Sequence, residues 1–431
     1  MDYTEALILV ISFIVLMGIR VPIAYSIGLS ALLTLVVSMP SLPAMTTLAQ
    51  RMATSLDSFA LLAIPFFILA GQVMNQGGIA RRLIDFAKAI IGPLPGGLAF
   101  VNIIACMLFG AISGSAVAAA SAIGGFMNPM MEKEGYDKSF SAAVNITSAT
   151  TGLIIPPSNI LIIYSLASGG VSIAALFLAG YVPGILIGMA LMLVAGVYSW
   201  RKKYPTAKSV GIKIFLKRFL DALPSLLLLV VVIGGIVAGI FTATEASAVA
   251  VIYTFILAFA YKEIELKDVS SILLETTKTT AIVMLLIATS VAMSWVMSYE
   301  SIPQEISAGL LSISNNPIII LIIINLILLF VGIFMDMTPA VLIFTPIFLP
   351  IVTQMGIDPI HFGIIMILNL CIGLCTPPVG SVLFVGCGVA NLKIQQVVRP
   401  LLPLFIVMLV VLMIITYVPE LSLWVPEWFG F

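Results

Sequence analysis

The chain alternates long apolar stretches with short polar ones, and the apolar stretches are largely free of charge. Ser139–Trp200 runs 62 positions without an Asp, Glu, Lys or Arg, and Ala89–Met131 runs 43. A helix that crosses a bilayer needs about 20 consecutive apolar residues, so each of these runs holds more than one membrane segment. The pattern predicts spans over 5–19, 22–39, 57–75, 173–199, 223–241, 245–261, 279–297 and 400–418. Four further apolar stretches, 98–131, 140–166, 319–350 and 363–386, carry interruptions that a plain span would not.

Two of the interruptions match. Gly152–Asn159 reads GLIIPPSN, and Gly373–Gly380 reads GLCTPPVG, 221 residues later. A proline inside a helix removes a donor and clashes with the preceding turn, at about 3 kcal/mol or more. The segments 140–166 and 363–386 therefore read as broken helices. The register continues in Val171–Phe177 against Leu392–Val398, and Gly110 pairs with Gly332 at an offset of 222. The chain divides on this basis into a first repeat (1–200), a basic linker (201–222), a second repeat (223–421) and a tail (422–431).

Basic residues orient the halves. Cytoplasmic loops carry an excess of Lys and Arg, and seven of the 19 lie in 201–218, which puts the linker in the cytoplasm. Loops 75–97 and 128–140 carry Arg81, Arg82, Lys88, Lys133 and Lys138, whereas their counterparts, 297–318 and 350–362, carry none. The halves thus sit inverted, an arrangement that recurs in transporters. Because both flanks of 98–131 are basic, that stretch enters and leaves by one face, as a re-entrant hairpin with its tip near Ser113–Ser115. The matching hairpin, 319–350, enters from outside with its tip near Asp336–Pro339. Both termini and the tail then fall outside, and of the 19 basic residues only Arg51 does.

Composition fits this reading and narrows function. Of 431 residues, 61% are hydrophobic and 9% charged, against about 25% charged in soluble domains. Mean hydropathy is +1.23. A soluble helix bundle needs a charged surface that this chain lacks, so the class is an all-α polytopic membrane protein. The start, MDYTE, has no basic residue before the first apolar run, unlike a cleaved signal peptide. Cys106, Cys371, Cys375 and Cys387 lie in apolar surroundings and read as packing residues. Net charge is zero, so nothing suggests nucleic acid. No Gly-x-x-x-x-Gly-Lys-Ser/Thr cradle for nucleotide phosphates is present. The single histidine, His361, falls in a loop with no nucleophile beside it, so catalysis is not expected.

The breaks supply the candidate chemistry. Helices interrupted at membrane depth leave N–H and C=O groups without intrahelical partners. Carbonyl oxygens can hold a desolvated cation, while a half-helix N-terminus attracts an anion through its dipole and free donors. Ser158 and Asn159 follow the first break; Thr376 precedes the second pair of prolines, and Gly380 and Ser381 follow it. The tips Ser113–Ser115 and Asp336–Thr338 add hydroxyl, backbone and carboxylate oxygens, a set that suits sodium. Asp336 lies between the uncharged runs 306–335 and 337–357. A carboxylate at the bilayer centre costs about 2.5 kcal/mol or more, so Asp336 requires a cation, a partner or a proton. Its repeat counterpart is Gly114, so the two halves are chemically unequal. Glu245 and His361 read as structural, and Asn145 and Thr147 on the first broken helix are second-rank candidates. A plainer reading has the prolines only kinking their helices. Two breaks at equivalent places, each beside a hairpin, weigh against it.

The four motifs GLIIPPSN, GLCTPPVG, GAISGSAVA (Gly110–Ala118) and GIFMDMTPA (Gly332–Ala340) resemble the large membrane subunit of tripartite ATP-independent periplasmic (TRAP) transporters over essentially the whole chain. The resemblance implies an ion-transporter-superfamily fold, with a scaffold and a transport domain that moves elevator-fashion. It implies sodium-coupled uptake of an organic acid across a bacterial inner membrane, with sialic acid favoured and C4-dicarboxylates next. A secreted substrate-binding protein and a small four-helix membrane subunit would be its partners, the latter a separate polypeptide because no extra four-helix region precedes this chain. Carried over residue by residue, the family pattern puts sodium ligands at Ser113, Gly114, Ser115, Pro156, Pro157 and Asn159. A second set falls at Asp336, Thr338, Thr376, Pro378 and Gly380, and the substrate carboxylate near Ser158, Asn159 and Ser381. A self-sufficient sodium/dicarboxylate symporter or ion antiporter of the same superfamily is the alternative, and a passive channel or membrane scaffold the rival from another class.

Overall fold

In hydrocarbon every backbone N–H and C=O must be satisfied within the chain, so these apolar runs can form little except helices. The computed structural model describes residues 4–92, 94–205, 211–314 and 316–431, and all its regular elements are helical. The first repeat runs α1 (Thr4–Gly18), α2 (Ile23–Ser38), α3 (Ser41–Ser55), a short 3₁₀ turn (Phe59–Leu62) into α4 (Ala63–Gln76), α5 (Ile79–Ile91), α6 (Gly97–Ser113), α7 (Ala116–Lys133), α8 (Lys138–Thr151), α9 (Asn159–Ala167) and α10 (Ile173–Lys202). The second runs α11 (Ile212–Val237), α12 (Ala243–Ala260), α13 (Leu266–Tyr299), α14 (Ile302–Ile313), α15 (Pro317–Phe334), α16 (Met337–Gln354), α17 (Pro359–Gly373), α18 (Ser381–Val389), α19 (Ile394–Tyr417) and α20 (Glu420–Trp428). Eight of the described helical segments are long and apolar enough to cross a membrane.

The helices sort into two groups. α2, α4, α12 and α13 pack on one another, with α1, α3 and α11 against them. The hairpins α6–α7 and α15–α16, the broken pairs α8/α9 and α17/α18, and the long α10 and α19 form the other group. Each repeat completes the other there: α7 lies on α18, α16 on α9, α19 on α8 and α10 on α17. The supporting helices touch the second group at its hairpins, α4 on the first arm α6 of one and α13 on the second arm α16 of the other.

Glycine pairs lock each hairpin to its break. A Cβ on Gly152 would lie 2.4 Å from Gly110 Cα, and one on Gly373 would lie 2.6 Å from Gly332 Cα. Backbones can approach so closely only where no side chain intervenes, the packing device of membrane helices. The two pairs occupy the positions that the sequence register aligns. Cysteines join the halves: Cys371 Sγ donates to Thr150 O and Cys375 Sγ to Ile146 O, both at 3.4 Å. All four cysteines are buried and free.

Four helices lie where the sequence pattern shows only loops or a tail. α5 buries Ile79, Leu83, Ile84 and Ala87 on one face, with Arg81, Asp85 and Lys88 spaced around the other. Arg82 lies 3.7 Å from the Tyr261 ring centre and 3.4 Å from Glu263. α14 is its counterpart, α20 lies in the tail, and α3 is held to α13 by Arg51 over the Trp295 ring at 4.8 Å. A search for long uncharged runs passes over such short amphipathic or polar helices. α13 is continuous for 34 residues, so 279–297 is only its C-terminal part. Glu245 closes a capping box with Thr242, accepting at 2.8 and 2.9 Å, which fits its structural reading. His361 is buried in the first turn of α17 rather than in a loop, with Nε2 3.4 Å from Thr416 O.

Candidate functional site

Four half-helices begin at the tips and breaks, and their first N–H groups have no intrahelical acceptor. In α7, Ser115 Oγ accepts from Ala118 N–H at 3.2 Å. The other three start without a side-chain cap. Ser158 precedes α9 but donates its Oγ to Leu153 O at 2.5 Å, closing the unwound segment on itself. Gly380 precedes α18 and has no side chain to offer. Asp336 stands at the capping position of α16, yet its carboxylate caps nothing and pairs with no Lys or Arg. Both double prolines, 156–157 and 377–378, have cis peptide bonds.

The first tip, the start of α9 and the second tip meet on a cavity of about 470 Å³ closed by α4 and α13. Ser113, Gly114, Ser115, Asn159, Asp336 and Thr338 all line it. Asp336 is exposed by its opening on this cavity, despite its place inside a hydrophobic run. Asn159 Oδ1 is buried without a hydrogen-bond partner, and an orphaned carbonyl oxygen of this kind is a ready cation ligand. Its amide packs on the Gly114 backbone. The oxygens of the first tip, Asn159 and Asp336 are the hard donors that sodium takes. Among the described residues no group of three His, Cys, Asp or Glu gathers as a transition metal would require.

The remaining candidates lie off the cavity wall. Pro156 faces a separate apolar crevice, with Met107, Tyr181 and Leu229. Pro157, Ser158 and Gly380 are buried, and Pro378 is exposed. Thr376 donates its hydroxyl to Ile372 O at 2.8 Å, mending the end of α17. Ser381 Oγ is buried without a partner. Asn145 donates to Ala120 O at 2.8 Å and accepts from Cys106 Sγ, and Thr147 donates to Ala143 O at 2.9 Å. Asn145 thus ties α8 to α7 and α6, while the Thr147 bond stays within α8. Gln72, Asn75 and Thr279 also line the cavity, although the sequence pattern did not single them out. The signal for Gln72 and Asn75 was a pair of amides three residues apart at the end of an apolar span.

Gly114 allows the first tip to form. Its φ is +61°, and a Cβ there would lie 2.7 Å from Asn159 Nδ2. A left-handed residue with a side chain costs about 1–2 kcal/mol, and Asn159 must also shift. Gly114→Ala should weaken sodium affinity by about tenfold or more, read as the sodium concentration that half-maximally raises thermal stability. An unchanged midpoint would take the first tip out of the site.

Residues 10–421 match the family described as Tripartite ATP-independent periplasmic transporter, DctM component. The uncharacterized protein YgiK of Salmonella typhimurium is 56% identical over 419 residues, 97% of this chain and 96% of its own length. The C4-dicarboxylate TRAP transporter large permease protein DctM of Pseudomonas aeruginosa is 42% identical over 94% of each chain. The sialic acid TRAP transporter large permease protein SiaM of Vibrio cholerae is 39% identical over 88% of this chain and 89% of its own. The solved structure of the YdaH transporter from Alcanivorax borkumensis superposes with a TM-score of 0.66 at 12% identity, over 87% of this chain and 88% of its own. It shares the fold.

Proposed function

The chain belongs to the tripartite ATP-independent periplasmic transporter family as a DctM component, and on that premise we propose that it couples sodium entry to uptake of an organic acid at the cavity between its two tips. It is a multi-pass inner-membrane protein, a large permease for organic acids. The observation that carries the proposal is the meeting of Asp336, the orphaned Asn159 oxygen and uncapped helix N-termini on one cavity.

Sodium binds at the first tip and break, through Ser113, Gly114, Ser115, Asn159 and the backbone of Pro156 and Pro157. A second ion binds through Asp336, Thr338, Thr376, Pro378 and Gly380. The substrate carboxylate sits against the N-termini of α9 and α18, near Ser158, Asn159 and Ser381. Coupling is electrostatic. The bare Asp336 carboxylate repels an anionic substrate; one sodium neutralises it, and the other, at the first tip, makes the site net positive. The hairpins and broken helices then carry the loaded site past α4 and α13, elevator-fashion. A secreted binding protein delivers the acid, a separate small four-helix membrane subunit completes the transporter, and both termini of this chain lie in the periplasm. Sialic acid is the favoured cargo and a C4-dicarboxylate the next.

Proteoliposomes holding this chain, its small subunit and the binding protein should accumulate the acid only under an inward sodium gradient. Uptake that survives collapse of the gradient overturns the coupling. Uptake by this chain alone removes the need for partners.

A further inference from the structure

The cavity has two chemically different walls. One is the tips and breaks, with Asp336 and the helix N-termini. The other belongs to the supporting helices, where α4 presents Gln72 and Asn75 and α13 presents Thr279. Gln72 and Asn75 are three residues apart, so they share one helix face. Asn75 is exposed and Gln72 half-buried, although both lie in an otherwise apolar helix. Thr279 already donates to Glu275 O at 2.9 Å, which leaves its oxygen free to accept. Amides offer two donors and an acceptor each, and a polar side chain turned into a membrane cavity marks a substrate path.

Among the described lining residues, Asp336 is the only charged one. No Lys, Arg or His stands on the α4–α13 wall to neutralise a second carboxylate, which would meet uncharged amides and an aspartate. Buried charge without a partner is costly, whereas a hydroxyl or an amide pairs well with Gln and Asn. A four-carbon diacid also fills only a small part of about 470 Å³.

We propose that Gln72 and Asn75 bind the neutral, hydroxyl- or amide-bearing tail of a monocarboxylate and thereby select against dicarboxylates. The inference rests on the functional reading above, because the carboxylate end is assigned to the tips and breaks. It adds a static wall that reads the other end of the cargo.

The test is ligand binding to the purified full chain by thermal shift in sodium, with gluconate, N-acetylneuraminate and succinate as probes. At least one of the two monocarboxylates should stabilise the wild type further, and succinate should not. A Gln72→Ala/Asn75→Ala double variant should need at least tenfold more of that monocarboxylate, with its sodium midpoint unchanged. Equal monocarboxylate binding by the double variant overturns the assignment. So does a wild type stabilised by succinate, or one stabilised by neither monocarboxylate. Loss of the sodium effect in the wild type is a different result, because it overturns the sodium site and not the wall.

Discussion

Asp336→Ala should reduce sodium-driven uptake by about 100-fold or more while the protein still inserts and folds. The carboxylate opens on the cavity, caps nothing and has no basic partner. In the absence of sodium its one interaction is with the Met337 backbone, at the start of α16. Its presence at membrane depth costs about 2.5 kcal/mol or more, so the variant should be at least as heat-stable as the wild type in sodium-free buffer. With sodium the order reverses. Loss of the one charged ligand should lower sodium affinity by roughly 100-fold, which corresponds to about 2.7 kcal/mol. Thermal melts with and without sodium read both effects. A variant that keeps the wild-type sodium shift removes Asp336 from the site, and one that melts early without sodium makes it a structural residue. Asp336→Asn keeps the shape and an oxygen, and should lose most but not all of the effect.

How much of this could be read from sequence depended on the kind of interaction involved. Helices in lipid are dictated by apolar length, so the long runs gave up their helices directly. The double prolines marked the unwound segments because proline acts on its own backbone. The Gly110–Gly152 and Gly332–Gly373 contacts were visible only as a register, since a glycine does not announce which backbone it meets. Helices α3, α5 and α14 escaped because they interleave charged or polar residues with apolar ones. The site was legible where a side chain was out of place, as at Asp336, and less so where backbone atoms do the work. Thr376 and Asn145 are harder to read, because a hydroxyl or amide in an apolar helix can satisfy a neighbouring carbonyl as well as line a site. Gln72 and Asn75 show the converse difficulty. They sit at the end of an apolar span, where polar residues attract little notice, yet both face the cavity.

The inequality of the two repeats follows from the same comparison. At the first tip Gly114 packs on Asn159, and the oxygens proposed there as ligands are neutral. At the second tip Asp336 precedes α16 as Ser115 precedes α7, so the structure pairs Asp336 with Ser115 rather than with Gly114, and the following break ends in Val379 and Gly380 instead of Ser158 and Asn159. A neutral cage and a charged one respond differently to sodium. On the proposed reading each sodium adds the same unit charge, and the largest loss is expected at Asp336 because its removal takes away a charged ligand, whereas a change at Gly114 only displaces neutral ones.

Gly71→Val should slow transport at least tenfold without abolishing sodium binding. Gly71 is on α4, among the supporting helices, and a Cβ there would lie 2.9 Å from Ser113 Cα and 3.1 Å from Ser113 O. Both are backbone atoms of the first tip, so no side chain can move aside to make room. The tip itself must retreat from α4, and in an elevator-type cycle the conformation seen here becomes the disfavoured one. A carrier biased by about 1.4 kcal/mol against one of its two end states visits that state about ten times less often. The atoms nearest that Cβ all belong to Ser113, one proposed ligand among several, so the sodium-dependent rise in melting temperature should persist with at most a raised midpoint. Gly71→Ala should fall between valine and the wild type. Gly125→Val is the matched control, because a Cβ at Gly125 meets nothing within 4 Å; it should transport normally. Wild-type uptake by Gly71→Val would mean that α4 and the tip need not meet during the cycle, and a loss of the sodium shift would place Gly71 within the ion site itself.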